Sequence, residues 1–347
     1  MGDSQVPGER VMKDAIARVI GGADLTREEA ASAMEVIMTG QATPAQIGAF
    51  LVALRLKGET FEEIAGCAEV MRRHAAAVKA SGVLVDTCGT GGDEKGTFNI
   101  STAAAFVAAG AGVKIAKHGN RSVSSKSGSA DVLMALGVNV DAEVRVVERC
   151  IEEAGIGFLF APRLHAAMKH AIGPRREIGI RTVFNILGPL TNPAGATRQL
   201  MGVFAPELTE KLGEVLARLG TERALVVCGE DGLDELSTMA PSRVTWVEGE
   251  SVRTLTLDAA DLGFARAGLD ELRVGNADQS AAVIRRVLDG ASGPARDIVL
   301  LNAAGAVIAA GKADDWPAAV EIASLAVDSG AARDALARLV AVSGGSR

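Results

Sequence analysis

The chain has 347 residues, enough for about two ordinary domains or for one large domain with a smaller one. Apolar residues make up 48% of the chain and charged residues 23%, which is typical of globular proteins and argues against disordered, collagen-like and coiled-coil chains. The net charge of −7 argues against a general polyanion-binding surface, so any phosphate site has to be local.

The cysteines and the apolar stretches indicate the compartment. The four cysteines lie far apart and form no Cys-x-x-Cys pair, and the first residues contain no apolar signal core. The longest apolar stretches are shorter than the ~18 to 20 residues that a membrane span requires. We therefore expect a cytoplasmic protein with reduced thiols and without a membrane span.

The first part of the chain has the apolar spacing of helices, from Val11 to about Ala77. Helix-start signals recur in it: Thr26 and Thr60 each precede a glutamate by three residues, and Thr43 precedes a proline. We predict a small helical domain of about four helices over residues 1–80. Such a bundle usually serves packing or dimer contacts. The alternative is an N-terminal DNA-binding helix pair, which the mixture of acidic and basic side chains disfavours.

The remainder, residues 81–347, alternates short apolar runs with loops and Ala-rich helical segments. This alternation predicts a larger α/β domain with a mostly parallel central sheet flanked by helices. A basic, helix-like insertion at about 162–185 interrupts it and is expected to pack near the helical domain. The predicted strands of the alternation are Val83–Asp86, Val113–Ala116, Leu225–Cys228 and Ile298–Leu301.

A Gly-rich loop follows the first of these strands, within Asp86–Thr102. It lacks the dinucleotide-binding spacing because Glu94 stands where a glycine is needed, and it lacks the Walker lysine because Thr97 stands there. Its glycines allow backbone amides to approach an anion, and Asn99 and Ser101 lie at the positive start of a helix. The loop therefore predicts phosphate binding; the alternative is an ordinary turn with Asn99 or Ser101 as a helix cap.

A second polar loop, Lys117–Ser129, follows the next strand and carries three cations and five serines. Two adjacent phosphate loops suit a pyrophosphate, whose several oxygens accept charge-assisted hydrogen bonds. The alternative is a solvated surface loop.

A third loop, Gly229–Ser237, releases Asp231, Asp234 and Glu235 after a strand. Mg²⁺ prefers oxygen ligands and commonly bridges carboxylates to substrate phosphates, which Asp234 and Glu235 could supply. The alternative is a solvated acidic turn. The spacing of the histidines and cysteines does not favour zinc.

Taken together, the loops resemble the anthranilate phosphoribosyltransferase family. The resemblance spans nearly the whole chain, with the motifs in family order. It implies transfer of the phosphoribosyl group from phosphoribosyl pyrophosphate to the amine of anthranilate in tryptophan biosynthesis, with Mg²⁺ as cofactor. The matching motifs are GTGGD (89–93), FNIST (98–102), KHGNR (117–121), SGSADVL (127–133), GIRTVFNILGPLTNPA (179–194) and GLDE (232–235).

The resemblance also implies site residues. For phosphoribosyl pyrophosphate they are Gly89, Gly92, Asp93, Thr97, Asn99, Ile100, Ser101, Thr102, Lys117, His118, Gly119, Asn120, Arg121, Ser122, Val123, Ser124, Ser125 and Ser129. For anthranilate they are Gly89, His118, Asn120 and Arg175, and for Mg²⁺ they are Ser101, Asp234 and Glu235. No residue is assigned as a general acid or base, since the expected catalysis is positioning and charge neutralisation.

One departure from the family pattern is Ala166, which stands where the family has proline and would loosen a helix start or shift the substrate path. The resemblance further implies a homodimer formed through the N-terminal helices, with no nucleic-acid or membrane partner. Two alternatives share the architecture: a pyrimidine nucleoside phosphorylase-like enzyme and a non-enzymatic, nucleic-acid-binding relative.

Overall fold

The computed structural model describes residues 7–121 and 128–345. Its helices, in chain order, are α1 (Pro7–Ile20), α2 (Arg27–Met38), α3 (Pro44–Lys57), α4 (Phe61–His74), α5 (Ile100–Gly110), α6 (Ser129–Ala135), α7 (Val144–Arg149), α8 (Ala161–Leu164), α9 (Lys169–Ile178), α10 (Phe184–Leu187), α11 (Glu207–Arg218), α12 (Ala277–Leu288), α13 (Pro294–Ala309), α14 (Trp316–Asp328) and α15 (Ala331–Ser343). Its strands are β1 (Leu84–Asp86), β2 (Lys114–Gly119), β3 (Ile156–Phe160), β4 (Arg198–Gly202), β5 (Arg223–Gly229), β6 (Ser242–Glu248) and β7 (Ser251–Leu257).

The chain forms two compact units. One contains the residues up to Ala76 together with Pro162–Pro193, and the other contains Ala77–Ala161 and the residues from Ala194 onward. The segment that joins the helical unit is thus longer than the predicted insertion at 162–185. None of the helices in the described ranges has the length and apolar character of a membrane span.

The four predicted helices of the first unit are confirmed as α1 to α4. Thr26, Thr43 and Thr60 each close a capping box, so local sequence fixes where α2, α3 and α4 begin. The buried carboxylate of Glu63 accepts hydrogen bonds from the amides of Leu25 (2.9 Å) and Thr60 (2.8 Å). It also accepts one from Nζ of Lys57 at 3.0 Å. One glutamate therefore ties together the starts and ends of neighbouring helices.

The second unit is built on a seven-stranded sheet among the described residues, with the order β3-β2-β1-β4-β5-β6-β7. Strands β1 to β5 pair in parallel, as predicted, and β6 and β7 add an antiparallel edge that the sequence analysis did not predict. Strands β2, β1, β4 and β5 are parallel neighbours, so their carboxyl ends lie side by side. The three polar loops that follow β2, β1 and β5 therefore leave the sheet at these carboxyl ends.

The predicted strand at Ile298–Leu301 is wrong, because these residues lie in the middle of α13. The helix starts at Pro294, in the first-turn position that proline favours, and runs for 16 residues. Every residue from Ile298 to Ala309 is buried, so the segment shows no polar face. A short apolar run of this kind does not distinguish a buried strand from a buried helix by its periodicity.

Asn302 on α13 is expected to contribute strongly to the stability of the second unit. It is fully buried, accepts a hydrogen bond from the amide of Leu236 (3.0 Å) and donates to the carbonyl of Leu236 (2.9 Å). Asn302→Ala leaves both buried groups unpaired, and we expect it to lower the free energy of unfolding by about 2 to 4 kcal/mol. Chemical denaturation followed by circular dichroism measures this.

The matched control for Asn302→Ala is Asn276→Ala, which removes an exposed N-cap from α12 and should cost about 1 kcal/mol. Equal losses in the two variants would contradict the role given to Asn302.

Candidate active site

The Gly-rich loop lies against the end of β4 and the acidic loop. The amide of Thr90 donates to the carbonyl of Gly202 at 2.8 Å, and a Cβ on Gly89 would lie 2.8 Å from that same oxygen. A Cβ on Gly202 would overlap the carbonyl oxygen of Asp234. Backbone therefore packs on backbone at this point, and only glycine fits at positions 89 and 202.

Asn99 caps the helix that follows the loop. Its Oδ1 accepts hydrogen bonds from the amide of Thr102 (3.0 Å) and from Oγ of Ser101 (3.4 Å), and its own amide donates to Oγ of Ser280 (2.9 Å). The helix cap that we weighed as an alternative is thus present. The first turn of α5 still directs its amides toward the loop, which suits an anion.

Two predicted phosphate-binding residues are inaccessible through their side chains. Ile100 and Thr102 are fully buried, and Oγ1 of Thr102 has no hydrogen-bond partner among the described residues. Thr97 forms an isolated bridge with Arg273. The amide of Thr102 is already used by Asn99, whereas Thr97 and Ser101 are only half-buried and keep side chains that a ligand could reach.

Lys117 extends from β2 into the protein, and its residue is 2% exposed. Its Nζ donates to the carbonyl of Thr87 (2.9 Å), to Oγ1 of Thr87 (3.4 Å) and to Oγ of Ser101 (3.2 Å). Burial lowers the pKa of this ammonium, and the negative groups nearby, including Glu235, oppose that shift. Lys117 is thus a buried cation beneath the start of α5.

Three carboxylates, those of Asp93, Asp234 and Glu235, interact with one another, and Glu235 also interacts with that cation. Burial, followed by the charges of Asp93 and Glu235, raises the pKa of Asp234 well above its usual value. Burial also raises the pKa of Glu235 from 4.5 to about 7, although the Lys117 charge and hydrogen bonds from Ser101 lower it. By contrast, Asp231 is used within its own loop, where it accepts hydrogen bonds from Oγ of Ser237 and from the amide of Leu233.

The acidic group fits a hard divalent cation. Oδ2 of Asp93 is buried and has no hydrogen-bond partner in the described part of the chain. The carboxylates repel one another, so a bound cation would be stabilised among them. All the atoms that they offer as ligands are oxygens, which Mg²⁺ prefers. Residues that could hold such an ion are Asp93, Ser101, Asp234 and Glu235. Asp93 is an addition to the predicted set, signalled by its position in the Gly-rich loop.

The second loop is described only at its two ends. Oδ1 of Asn120 accepts a hydrogen bond from the amide of Arg121 (2.7 Å), and the carbonyl of Asn120 accepts one from Oγ of Ser129 (3.3 Å). Gly119 lies so close to Ser129 and Phe158 that a Cβ there would overlap both. The predicted Ser122, Val123, Ser124 and Ser125 lie outside the described residues.

Arg175 lies in the helical unit, on α9, whereas the other predicted site residues that the structure describes lie in the α/β unit. Its guanidinium stacks 4.9 Å from the ring centroid of Phe184, and burial lowers its pKa. The His165–Met168 segment, where the family proline is absent, forms a short 3₁₀ turn at Ala166–Met168 just before α9. Burial lowers the pKa of His165 to about 4, which keeps it neutral.

One group of side chains was not predicted from the sequence. Ligand atoms of Asp86, Cys88 and His118 all lie within 4.8 Å of one another at the ends of β1 and β2. The amide of His118 donates to Oδ1 of Asp86 at 3.0 Å. Burial, and next the Asp86 charge, raise the pKa of the Cys88 thiol. The sequence signal that could have revealed this group is an Asp-x-Cys at the end of one strand and a histidine at the end of the next.

Two family descriptions match the chain: "Glycosyl transferase family, helical bundle domain" over residues 13–75 and "Glycosyl transferase family, a/b domain" over residues 81–333. The anthranilate phosphoribosyltransferase of Moorella thermoacetica is 57% identical over 332 residues, which cover 95% of this chain and 98% of that relative.

Solved structures agree with these matches. The crystal structure of anthranilate phosphoribosyltransferase from Thermus thermophilus has a TM-score of 0.90 at 45% identity, covering 95% of this chain and 99% of that one. The Saccharomyces cerevisiae enzyme, in complex with PRPP and Mg, has a TM-score of 0.87 at 27% identity, covering 97% of this chain and 98% of that one. Sequence and fold agree over nearly the full length, and the chain belongs to the anthranilate phosphoribosyltransferase family.

Proposed function

We infer that the chain transfers the phosphoribosyl group from phosphoribosyl pyrophosphate to the amine of anthranilate, giving N-(5-phosphoribosyl)anthranilate and pyrophosphate in tryptophan biosynthesis. The observation that carries this inference is the acidic group of Asp93, Asp234 and Glu235 beside a Gly-rich loop and a helix N-terminus. That combination suits a diphosphate with Mg²⁺ better than a lone phosphate. The family match supplies the acceptor.

Binding of the donor falls to the two loops at the strand ends. Backbone amides near Gly89 and Gly92 and the first turn of α5 would hold the diphosphate, with Ser101 and Asn120 at its borders. Bound Mg²⁺ would neutralise part of the diphosphate charge, with Asp93, Asp234 and Glu235 as its carboxylate neighbours. Lys117 would fix the Ser101 hydroxyl from below, through its 3.2 Å hydrogen bond.

The reaction follows from these positions. The arylamine of anthranilate is neutral near pH 7, so attack on the ribose C1 needs no prior deprotonation. The C1–oxygen bond breaks toward pyrophosphate as the nitrogen–C1 bond forms, and the amine then releases its proton to solvent. Arg175 and Asn120 would orient the acceptor through its carboxylate.

We further propose a homodimer formed through the helical unit, a cytoplasmic location and no nucleic-acid or membrane partner. Ile20 and Leu56 in that unit are 70% and 82% exposed, and a dimer contact there would cover these apolar side chains. The net charge of −7 supports the absence of a nucleic-acid partner. We place the division between the helical domain and the phosphoribosyl-binding domain near residue 80, with 162–185 assigned to the helical side.

The direct test of the activity is the loss of anthranilate fluorescence when phosphoribosyl pyrophosphate and Mg²⁺ are added to the purified protein. We expect a rapid loss with release of pyrophosphate, and no loss when EDTA is present. Folded protein that leaves the fluorescence unchanged would contradict the inference and favour a phosphorylase, to be tested by phosphorolysis of pyrimidine nucleosides.

The acidic group predicts linked metal and stability effects. Asp234→Asn combined with Glu235→Gln should raise the Mg²⁺ concentration for half-maximal turnover by about tenfold or more. The raised pKa of Glu235 means that its ionisation costs folding free energy as pH rises from 4.5 to about 7, and that cost is fully present above this range. Without metal at about pH 8, the variant should therefore melt at a higher temperature than the wild type.

The matched control is Glu230→Gln, which neutralises an exposed carboxylate at the start of the same loop. Its metal titration and melting temperature should equal those of the wild type. An unchanged metal titration in the double variant would remove Asp234 and Glu235 as ligands.

Arg175→Ala should weaken anthranilate binding and leave the donor affinity nearly unchanged, because only the acceptor carries the carboxylate that this cation would meet. We expect KM for anthranilate to rise by about tenfold to a hundredfold, as for a lost charge-assisted contact. Steady-state kinetics with each substrate varied in turn measure the two effects. The neighbouring, exposed Arg176→Ala is the control, and equal effects on both substrates would contradict the role of Arg175.

A further inference from the structure

Asp86, Cys88 and His118 bring three different metal-binding side chains to one point outside the acidic group. Their ligand atoms lie within 4.8 Å of one another. Asp86 and His118 are 1% and 4% exposed, whereas Cys88 is partly exposed. The group is therefore held inside the protein, and Cys88 is its least buried residue.

The parallel sheet positions the group. Asp86 is the last residue of β1, His118 lies in β2, which pairs with β1 in parallel, and Cys88 follows two residues after the end of β1. The amide of His118 fixes Asp86 through a 3.0 Å hydrogen bond to Oδ1. Because the backbone of two paired strands positions Asp86 and His118, these two ligands need little ordering when an ion binds.

We propose that Asp86, Cys88 and His118 form a Zn²⁺ site with three protein ligands and a solvent molecule in the fourth position. Carboxylate oxygen, thiolate and imidazole are the ligands of tetrahedral zinc, and thiolate selects zinc over Mg²⁺. Zinc–ligand bonds of about 2.0 to 2.3 Å place ligand atoms about 3.5 Å apart, so the side chains close in by an ångström or so. As the Sγ–zinc bond forms, the thiol proton leaves to solvent.

Zinc bound at this site would inhibit the enzyme. Cys88 directly precedes Gly89, and His118 lies two residues before Asn120. An ion joining Cys88 to His118 would engage the His118 side chain, which is one of the predicted substrate-binding residues, and would hold it at a fixed distance from the residue that precedes Gly89. This consequence, unlike the binding of zinc itself, rests on the proposed function.

Binding is tested with Co²⁺ as a spectroscopic probe for Zn²⁺, on the full chain with excess Mg²⁺ to occupy the carboxylates. We expect the intense near-ultraviolet absorption of a thiolate–cobalt bond, saturating at one ion per chain and displaced by Zn²⁺. Cys88→Ser should abolish the band. The control Cys150→Ser, a buried core cysteine outside the group, should retain it.

A band that is absent in the wild type, or equally strong in Cys88→Ser, overturns the site. His118→Gln gives a second check, since it keeps the thiol and should weaken cobalt binding by about tenfold or more. Its melting curve verifies folding. This readout requires no turnover, so it stands or falls separately from the transferase activity.

Inhibition is tested by turnover with Mg²⁺ fixed and ZnCl₂ increased. We expect Zn²⁺ to inhibit the wild type and Cys150→Ser, with activity restored when zinc is chelated and Mg²⁺ is replenished. Cys88→Ser should need at least about tenfold more Zn²⁺ for half inhibition. Equal inhibition of all three proteins would show that Zn²⁺ acts at the carboxylates and would contradict inhibition through the Cys88 site.

Discussion

Charge held away from solvent at the ends of the parallel strands constrains the rest of the α/β unit. The ammonium of Lys117 and the carboxylates of Asp234 and Glu235 all have pKa values displaced by burial toward their neutral forms. Buried charges of this kind keep their positions only if the surrounding backbone cannot move to let them reach water. The protein thus carries electrostatic strain that a diphosphate with its metal ion would relieve, which is how a preorganised site favours its ligand.

The backbone around these charges has little freedom. Gly89 and Gly202 allow carbonyl oxygens to approach their Cα atoms at distances that exclude a side chain, and Asn302 binds both backbone groups of Leu236. The apolar helix α13, which supplies Asn302, is fully buried over most of its length. Close packing and one buried amide therefore hold the acidic loop in place, as a rigid scaffold does where it supports a site.

In the helical unit, too, hydrogen bonds hold the backbone in place. Its helices begin at three capping boxes, and Glu63 links several of their ends through buried hydrogen bonds. Within this unit Arg175 is stacked on Phe184 with its pKa lowered by burial. A cation kept partly out of water interacts more strongly with a substrate carboxylate than a solvated one does.

The starts of α2 to α4, the α/β class and the loops at the strand ends could be predicted from the amino-acid sequence, because capping boxes, apolar runs and glycine spacing act over a few residues. The strand predicted at Ile298–Leu301 was wrong, since an apolar segment buried on every side has no polar face to reveal its period. Three relations became visible only in the folded chain: Asp93 joins Asp234 and Glu235, Lys117 points inward, and Asp86, Cys88 and His118 meet. These relations depend on which strands become neighbours and on how deeply each charge is buried, and both are properties of the packed sheet.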